Sequence, residues 1–290
     1  MSRPLFLRVA AVATAALLSH AAPAFAQDAT APPPDAAELG GDSLTIGIGA
    51  AYLPDYEGSN DYRFVPGPLV LGQYKGFSFS VLGNRASIDL IPNHPGDKID
   101  LQLGPIGVVN FNRSSNSSID DPRVGALTER KTAIELGGYV GIGKTGIITS
   151  PYDKLSVSVS YRHDVSGVHD SGIWQPSINY LTPLSRKAAI GLFGSAQYAD
   201  RQYAQTYFGI TTAESLASGL PAYTAHKGWK NYTVGGALTY ALTGDLLHGF
   251  KLVAGGTYTR LLNTASYSPI TRIAGTPNQW LGAAGVAYTF

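Results

Sequence analysis

The last thirteen residues, Asn278 to Phe290 (NQWLGAAGVAYTF), alternate with a period of two. Trp280, Gly282, Ala284, Val286, Tyr288 and Phe290 form one set, apolar or small, with aromatics only at its extremities. Gln279, Leu281, Ala283, Gly285, Ala287 and Thr289 form the other, which is smaller and more polar. Such a period means a β-strand with two different faces. The span from Trp280 to Phe290 is roughly 33 Å of strand, or about 25 Å of height when tilted near 40°. That height, with aromatics at both rims, suits a strand crossing a bilayer within a closed barrel. A soluble β-sandwich can also end on an alternating strand, so the rest of the chain must decide.

The alternation persists from Leu44 onward. Leu44, Ile46, Ile48, Ala50 and Tyr52 oppose Thr45, Gly47, Gly49 and Ala51. Leu155, Val157, Val159 and Tyr161 oppose Ser156, Ser158, Ser160 and Arg162, and Tyr232, Val234, Leu238 and Tyr240 oppose Asn231, Thr233, Ala237 and Thr239. Lipid-facing residues that alternate with polar ones explain a mean hydropathy of only +0.02 in a chain with 14% charged residues. Ordinary soluble proteins carry about 25%. Twelve strands are expected, at 44–53, 63–75, 76–82, 84–90, 98–111, 132–144, 153–163, 172–182, 187–199, 229–242, 250–262 and 278–290. The second to fourth are the weakest, because Pro66 and Pro68 interrupt the hydrogen-bond ladder. Ten strands is the alternative count.

The amino-terminal residues read differently. Arg3 and Arg8, the apolar run Val9 to Leu18 and the small-x-small site Ala24-Phe25-Ala26 make residues 1–26 a secretory signal, cleaved after Ala26. Residues 27–42 (QDATAPPPDAAELGGD) are too polar and proline-rich to bury a core and read as a flexible periplasmic tail. Residues 43–290 would then form the barrel, with both termini periplasmic. The connections 53–63, 112–131, 163–171, 200–228 and 263–277 are long and the intervening ones short, as in membrane barrels, apart from a tight link at 83–84.

Two of the long connections carry motifs. The first reads Pro54-Asp55-Tyr56-Glu57-Gly58-Ser59, and the longest runs from Tyr203 through Tyr207-Phe208-Gly209-Ile210-Thr211 to Ser218-Gly219-Leu220-Pro221-Ala222-Tyr223, with a helical turn expected at 212–217. Together and in this order they resemble the MipA/OmpV family of outer-membrane proteins. The likeness spans residues 43–290 and includes the terminal signal of such proteins, Tyr288 and Phe290. His226-Lys227-Gly228 departs from it where a glycine pair is expected. For MipA-like members the resemblance implies a scaffold joining an MltA-like lytic murein transglycosylase to a penicillin-binding murein synthase. OmpV-like members are similar to adhesins or small-solute pores.

Other constellations are weighed against simpler readings. Gly138 to Thr145 (GYVGIGKT) matches the phosphate-loop pattern, but its glycines lie within an alternating strand and a turn follows instead of a helix. Nucleotide binding is not expected. The 26 leader residues hold two arginines and no acid, so the processed chain has no cationic excess for nucleic acid. The chain has no cysteine, which excludes disulfides, thiol nucleophiles and a lipoprotein anchor. His163, Asp164, His169 and Asp170 share a loop read as solvent-facing, where hydrogen bonding rather than metal is expected. No enzyme signature such as G-x-S-x-G or H-E-x-x-H occurs, so neither catalysis nor a cofactor is expected. Arg85, Asp89, Asp100, Glu135 and Arg162 fall on polar faces and are expected to form an ion-paired lumen network, or else to sit at the wet rim.

Overall fold

A computed structural model describes residues 42–94 and 97–290. The secretory signal and all of the expected tail but Asp42 lie outside the described residues. Twelve antiparallel strands close into one barrel, each paired with its sequence neighbours and the last with the first. They are β1 (Ser43–Pro54), β2 (Tyr62–Tyr74), β3 (Phe77–Leu82), β4 (Arg85–Asp89), β5 (Ile99–Asn110) and β6 (Ala133–Thr145), followed by β7 (Lys154–Asp164), β8 (Gly172–Pro183), β9 (Ala188–Ala199), β10 (Gly228–Ala241), β11 (Gly249–Leu261) and β12 (Asn278–Thr289). Each boundary lies within one residue of the sequence expectation, and the ten-strand alternative falls.

Closure pairs every strand with a neighbour on both sides, the arrangement by which strands cross lipid. The apolar set of each strand points outward and is exposed, as with Ile46, Ile48, Val234, Leu238 and Val286. Aromatic rings bracket this band. At the long-loop end Tyr52 meets Phe64, Tyr161 meets Trp174, and Tyr258 meets Trp280, with ring centroids 4.9, 4.7 and 4.8 Å apart. At the short-turn end Tyr288 packs on Phe250 and on Phe290, each at 4.8 Å. The closing seam is lined inside by small residues, with Gly49 opposite Gly285 and Thr45 Oγ1 2.7 Å from Thr289 Oγ1.

One stretch of wall is low. β3 and β4 are joined at 83–84, so β2 is paired with β3 only from Leu69 to Tyr74. The Pro68 carbonyl accepts from Gly83 N–H, which shows that even-numbered residues of β2 present their backbone to this side. Pro66 and Pro68 therefore lie on the β3 side of β2, Pro66 where no strand pairs with it. A residue without an N–H leaves no orphan donor on an open edge. Proline also thins the pairing of β4 with β5, which runs only over Arg85 to Ser87 and stops at Pro105. There the Asp89 carboxylate takes the place of a strand carbonyl, accepting from the N–H groups of Leu103 and Ile91, both at 3.1 Å.

Candidate functional site

The family-motif residues build a lid over the long-loop mouth. Pro54 ends β1, and Tyr56 beyond it is buried, donating its hydroxyl to the Ala274 carbonyl at 2.7 Å. Burial pushes the Tyr56 phenol pKa up. Gly58 has φ +111° and donates its N–H to Gln279 Oε1, 3.1 Å away, while buried Ser59 accepts from Asp61 N–H through its hydroxyl. In the longest loop, helices α2 (Arg201–Phe208) and α3 (Thr212–Ser218) follow helix α1 (Pro122–Gly125), and α4 (Asn263–Tyr267) and α5 (Pro269–Arg272) lie in the last loop. The α2 face carries Tyr203, Tyr207 and Phe208, buried together with Ile173, Ala199, Leu261 and Ala265. A second cluster joins Tyr56 to Val124, Leu127, Leu220 and Ile270.

The remaining motif residues shape the chain around these clusters. Gly209 follows α2, and a side chain there would strike Gln205, whose Oε1 accepts from Ala225 N–H at 2.9 Å. Thr211 and Glu214 cap α3 reciprocally, and Gly219, in the left-handed region at φ 72°, ends it. Pro221 is exposed beyond it. Tyr223 pairs with Ile210 through its backbone and donates its hydroxyl to the Thr264 carbonyl at 3.0 Å. The departure at His226 is accommodated by an N–H bond to Thr264 Oγ1.

Arginines tie the lid loops together. Arg113, 2% exposed, donates to the carbonyls of Tyr207 and Thr128, each at 3.3 Å. Burial and the neighbouring Arg130 bring its pKa down to about 10. Arg130 in turn donates to the Thr206 carbonyl and pairs with Glu214 at 3.0 Å. Sequence reading missed both, because no local pattern marks a loop arginine whose acceptors lie mostly in another loop.

Beneath the lid lies a cavity of about 830 Å³ lined by both charged and apolar side chains. Glu135 is 1% exposed and accepts from Arg162 Nε at 2.5 Å and from Asn110 at 2.8 Å. Arg162 also donates to Gln175, which accepts from Gln197. Asp100 pairs with Lys154 at 2.5 Å and accepts from Gln102. Asp89 bonds the backbone at the β4–β5 seam, and Arg85 lines the cavity wall. These five charges thus occupy separate positions, with Glu135 and Arg162 joined directly. Lys154 shares the inward parity of Ser156 and Ser158 and could have been found from it. Lys230 could not, since a bulge between Trp229 and Asn231 shifts the register and turns it inward. It pairs with Glu57 at 2.7 Å.

The loop after β7 corrects one expectation. His169 is buried, 3.4 Å from Glu135 Oε1 and 3.0 Å from Ser171 Oγ, with its ring edge against Tyr203. The loop is not solvent-facing there because the Asp164 carboxylate gathers the N–H groups of Ser166, Val168, His169 and Asp170 and folds the chain inward. His163 and Asp170, 3.5 Å apart, remain at the surface. Among the described residues no group of three or more His, Cys, Asp and Glu side chains is placed to hold a metal. Gly138 to Thr145 lies wholly in β6 and leads into a turn.

That turn, 146–153, is stiff. Buried Asp153 accepts from the N–H groups of Ile147, Ile148 and Thr149 and from the Tyr180 hydroxyl, at 2.7, 2.9, 2.6 and 2.8 Å. Burial alone would raise its pKa, but these donors outweigh it and hold the carboxyl at about 2. Ile147 and Ile148 stand exposed at 41% and 64%.

Comparison with known proteins follows the same outline. The model of the family described as MltA-interacting protein MipA matches residues 46–290. No curated protein matches the chain. Among solved structures, the NanC porin is similar at 12% identity with a TM-score of 0.46, covering 84% of this chain and 98% of its own. An outer-membrane channel of Pseudomonas putida F1 is similar at 11% identity and TM-score 0.42, covering 90% and 100%. The toluene transporter TodX of Pseudomonas putida is similar at 9% identity and TM-score 0.38, covering 99% of each chain. With a family match over nearly all of the barrel, this chain belongs to the MltA-interacting protein MipA family.

Proposed function

We propose that this outer-membrane barrel acts without catalysis of its own, as a scaffold that holds peptidoglycan-remodelling enzymes at its periplasmic end. The short turns would face the periplasm and the lid the exterior. The observation that carries this reading is the lid itself. Two buried clusters drawn from four loops lie across one mouth, an arrangement suited to binding at the ends and ill suited to free diffusion through the middle. The family's description names MltA; an MltA-like lytic transglycosylase would be one partner, and a penicillin-binding murein synthase the second. The turn 146–153 offers the docking feature, since Asp153 fixes its backbone before any partner arrives and two isoleucines stand exposed on it.

Surface plasmon resonance with the immobilised full-length protein tests this. A purified lytic transglycosylase should bind saturably, and replacing Ile147 and Ile148 by Asp should weaken binding at least tenfold. Binding by neither class of murein enzyme would overturn the proposal.

A second reading, a narrow channel for small solutes, draws on the cavity beneath the lid and the charges that line it. Planar-bilayer recordings separate the two: steady openings whose ion preference follows Glu135 or Arg162 favour the channel, and silence favours the scaffold. Surface adhesion would use the lid's outer surface.

A further inference from the structure

The cations of the cavity are unevenly matched. Lys154 pairs with Asp100, Arg162 with Glu135 and Lys230 with Glu57. Arg63 and Arg85 also line the cavity, and among the described residues neither is in an ion pair; Arg63 donates to the Ser118 carbonyl, whereas the Arg85 guanidinium donates no hydrogen bond. The electrostatic neighbours of Arg85 are another cation, Arg162, and the phenol of Tyr139. A guanidinium held beside a second one in a confined space favours an anion, and its planar fork suits carboxylate or phosphate oxygens.

Arg85 stands at the top of the β3–β4 hairpin, where the wall is low. Above the 83–84 link, β2 and β5 flank a notch that two short strands fail to fill. Three strand spacings make it about 14 Å across. β2 borders it over 62–67 and β5 only over 109–110, and the loop after β5 crosses above it, where the Ser118 carbonyl accepts from Arg63 at 3.4 Å. Its margins are apolar: Val65, Pro66, Pro68, Leu82, Val108 and Phe111 all line the cavity. Pro66, Pro68 and Phe111 are also exposed on the outside of the barrel, so the same residues border both the cavity and the surroundings. Phe64 belongs to the aromatic girdle on the same strand, and the notch descends from its level to Pro68, into the height of the lipid band. The lid lies across the axial route, whereas the notch interrupts the wall.

We propose that the cavity binds an anionic single-chain amphiphile that enters sideways from the surrounding leaflet, its head group on Arg85 and its chain lying through the notch. This goes beyond the scaffold reading and stands or falls separately, since it involves neither the periplasmic turns nor a protein partner.

The test uses the full-length barrel in amphipol and dansyl-undecanoate as a fluorescent probe. Saturable binding at one site, displaced by laurate, is expected, with at least a tenfold loss in Arg85→Gln and none in Lys187→Gln at a short turn. Because the chain lacks cysteine, Pro66→Cys can be folded first and then coupled to a bulky maleimide. That adduct should slow or abolish uptake relative to the same variant left uncoupled. Retained heat-modifiable migration on gels confirms that each variant is folded. Binding unchanged in Arg85→Gln, or displacement by dodecanol as effective as by laurate, overturns the head-group site. Displacement by inorganic phosphate but not by laurate, or uptake indifferent to the maleimide, overturns the lateral entry of an amphiphile.

Discussion

Lys230 Nζ lies 2.7 Å from Glu57 Oε1, and the two side chains join the first loop to β10 beneath the lid. Tyr203 receives a hydrogen bond from the same ammonium at 3.0 Å and donates to Glu57 at 3.3 Å. The partners are unequally placed, Lys230 being 6% exposed and Glu57 21%. Removing the acid strands a buried cation, whereas removing the cation leaves an acid that water can reach. Glu57→Ala should therefore destabilise the lid by about 2–4 kcal/mol, and Lys230→Met by about 1 kcal/mol. Near-ultraviolet circular dichroism through a thermal ramp, which follows the buried tyrosines, would reveal the ordering; equal losses would refute it.

Arg113→Leu keeps much of the buried volume but leaves the carbonyls of Tyr207 and Thr128 without that donor. Each buried acceptor left unmet costs about 1–3 kcal/mol. The strands do not depend on this residue, so protease cleavage within 200–227 should rise at least tenfold while the barrel core stays resistant. Cleavage at the parental rate would show the lid held by its apolar clusters alone.

Gly58→Ala faces two penalties. The residue occupies φ +111°, and an added methyl carbon would come 2.7 Å from Thr271 Oγ1. Strain of this kind costs about 1–3 kcal/mol. Hydrogen exchange should accelerate in 54–61 and 269–276 together, and acceleration confined to the first segment would disprove their coupling.

Acid should loosen the turn 146–153 in a defined window. The Asp153 carboxyl titrates at about 2 in the folded protein, below an ordinary aspartate near about 3.9. A depressed folded pKa contributes stability that is complete above roughly pH 4 and disappears as the pH falls toward about 2. Asp153→Asn should abolish that acid dependence and leave the turn looser at pH 7. Amide exchange at Ile147, Ile148 and Thr149, measured from pH 7 down to 2, would detect both effects.

The walls of this protein are written in its sequence because each strand residue answers locally to one of two solvents, lipid or lumen. Ile48 and Val234 must face outward for the same reason that Thr45 and Thr233 face inward, and a period of two records it. The lid obeys no such local rule. Tyr203 and Tyr207 stood out only through a family motif, and what they pack against, Leu261 and Ala265, lies far along the chain. His169 reads as a surface residue because its sequence neighbours are polar. Its burial depends on Asp164, whose carboxylate folds the backbone. In the sequence Pro66 and Pro68 read as weaknesses in a ladder. In the fold they lie on the side of β2 that the short β3 only partly covers, so the same residues mark the edge of an opening.

The joint between β1 and β12 has a different consequence. Every other seam joins strands adjacent in the chain and can form as a hairpin, but Thr45 and Thr289 meet across 244 positions. Contacts of such long range cannot form until the intervening chain is already gathered. The inward-facing glycines and alanines along that joint leave nothing bulky to interdigitate, so its two edges can meet as bare backbone and zip in register. The last event of assembly is thereby also the simplest, and once it is complete neither the first strand nor the last has a free edge from which to unravel.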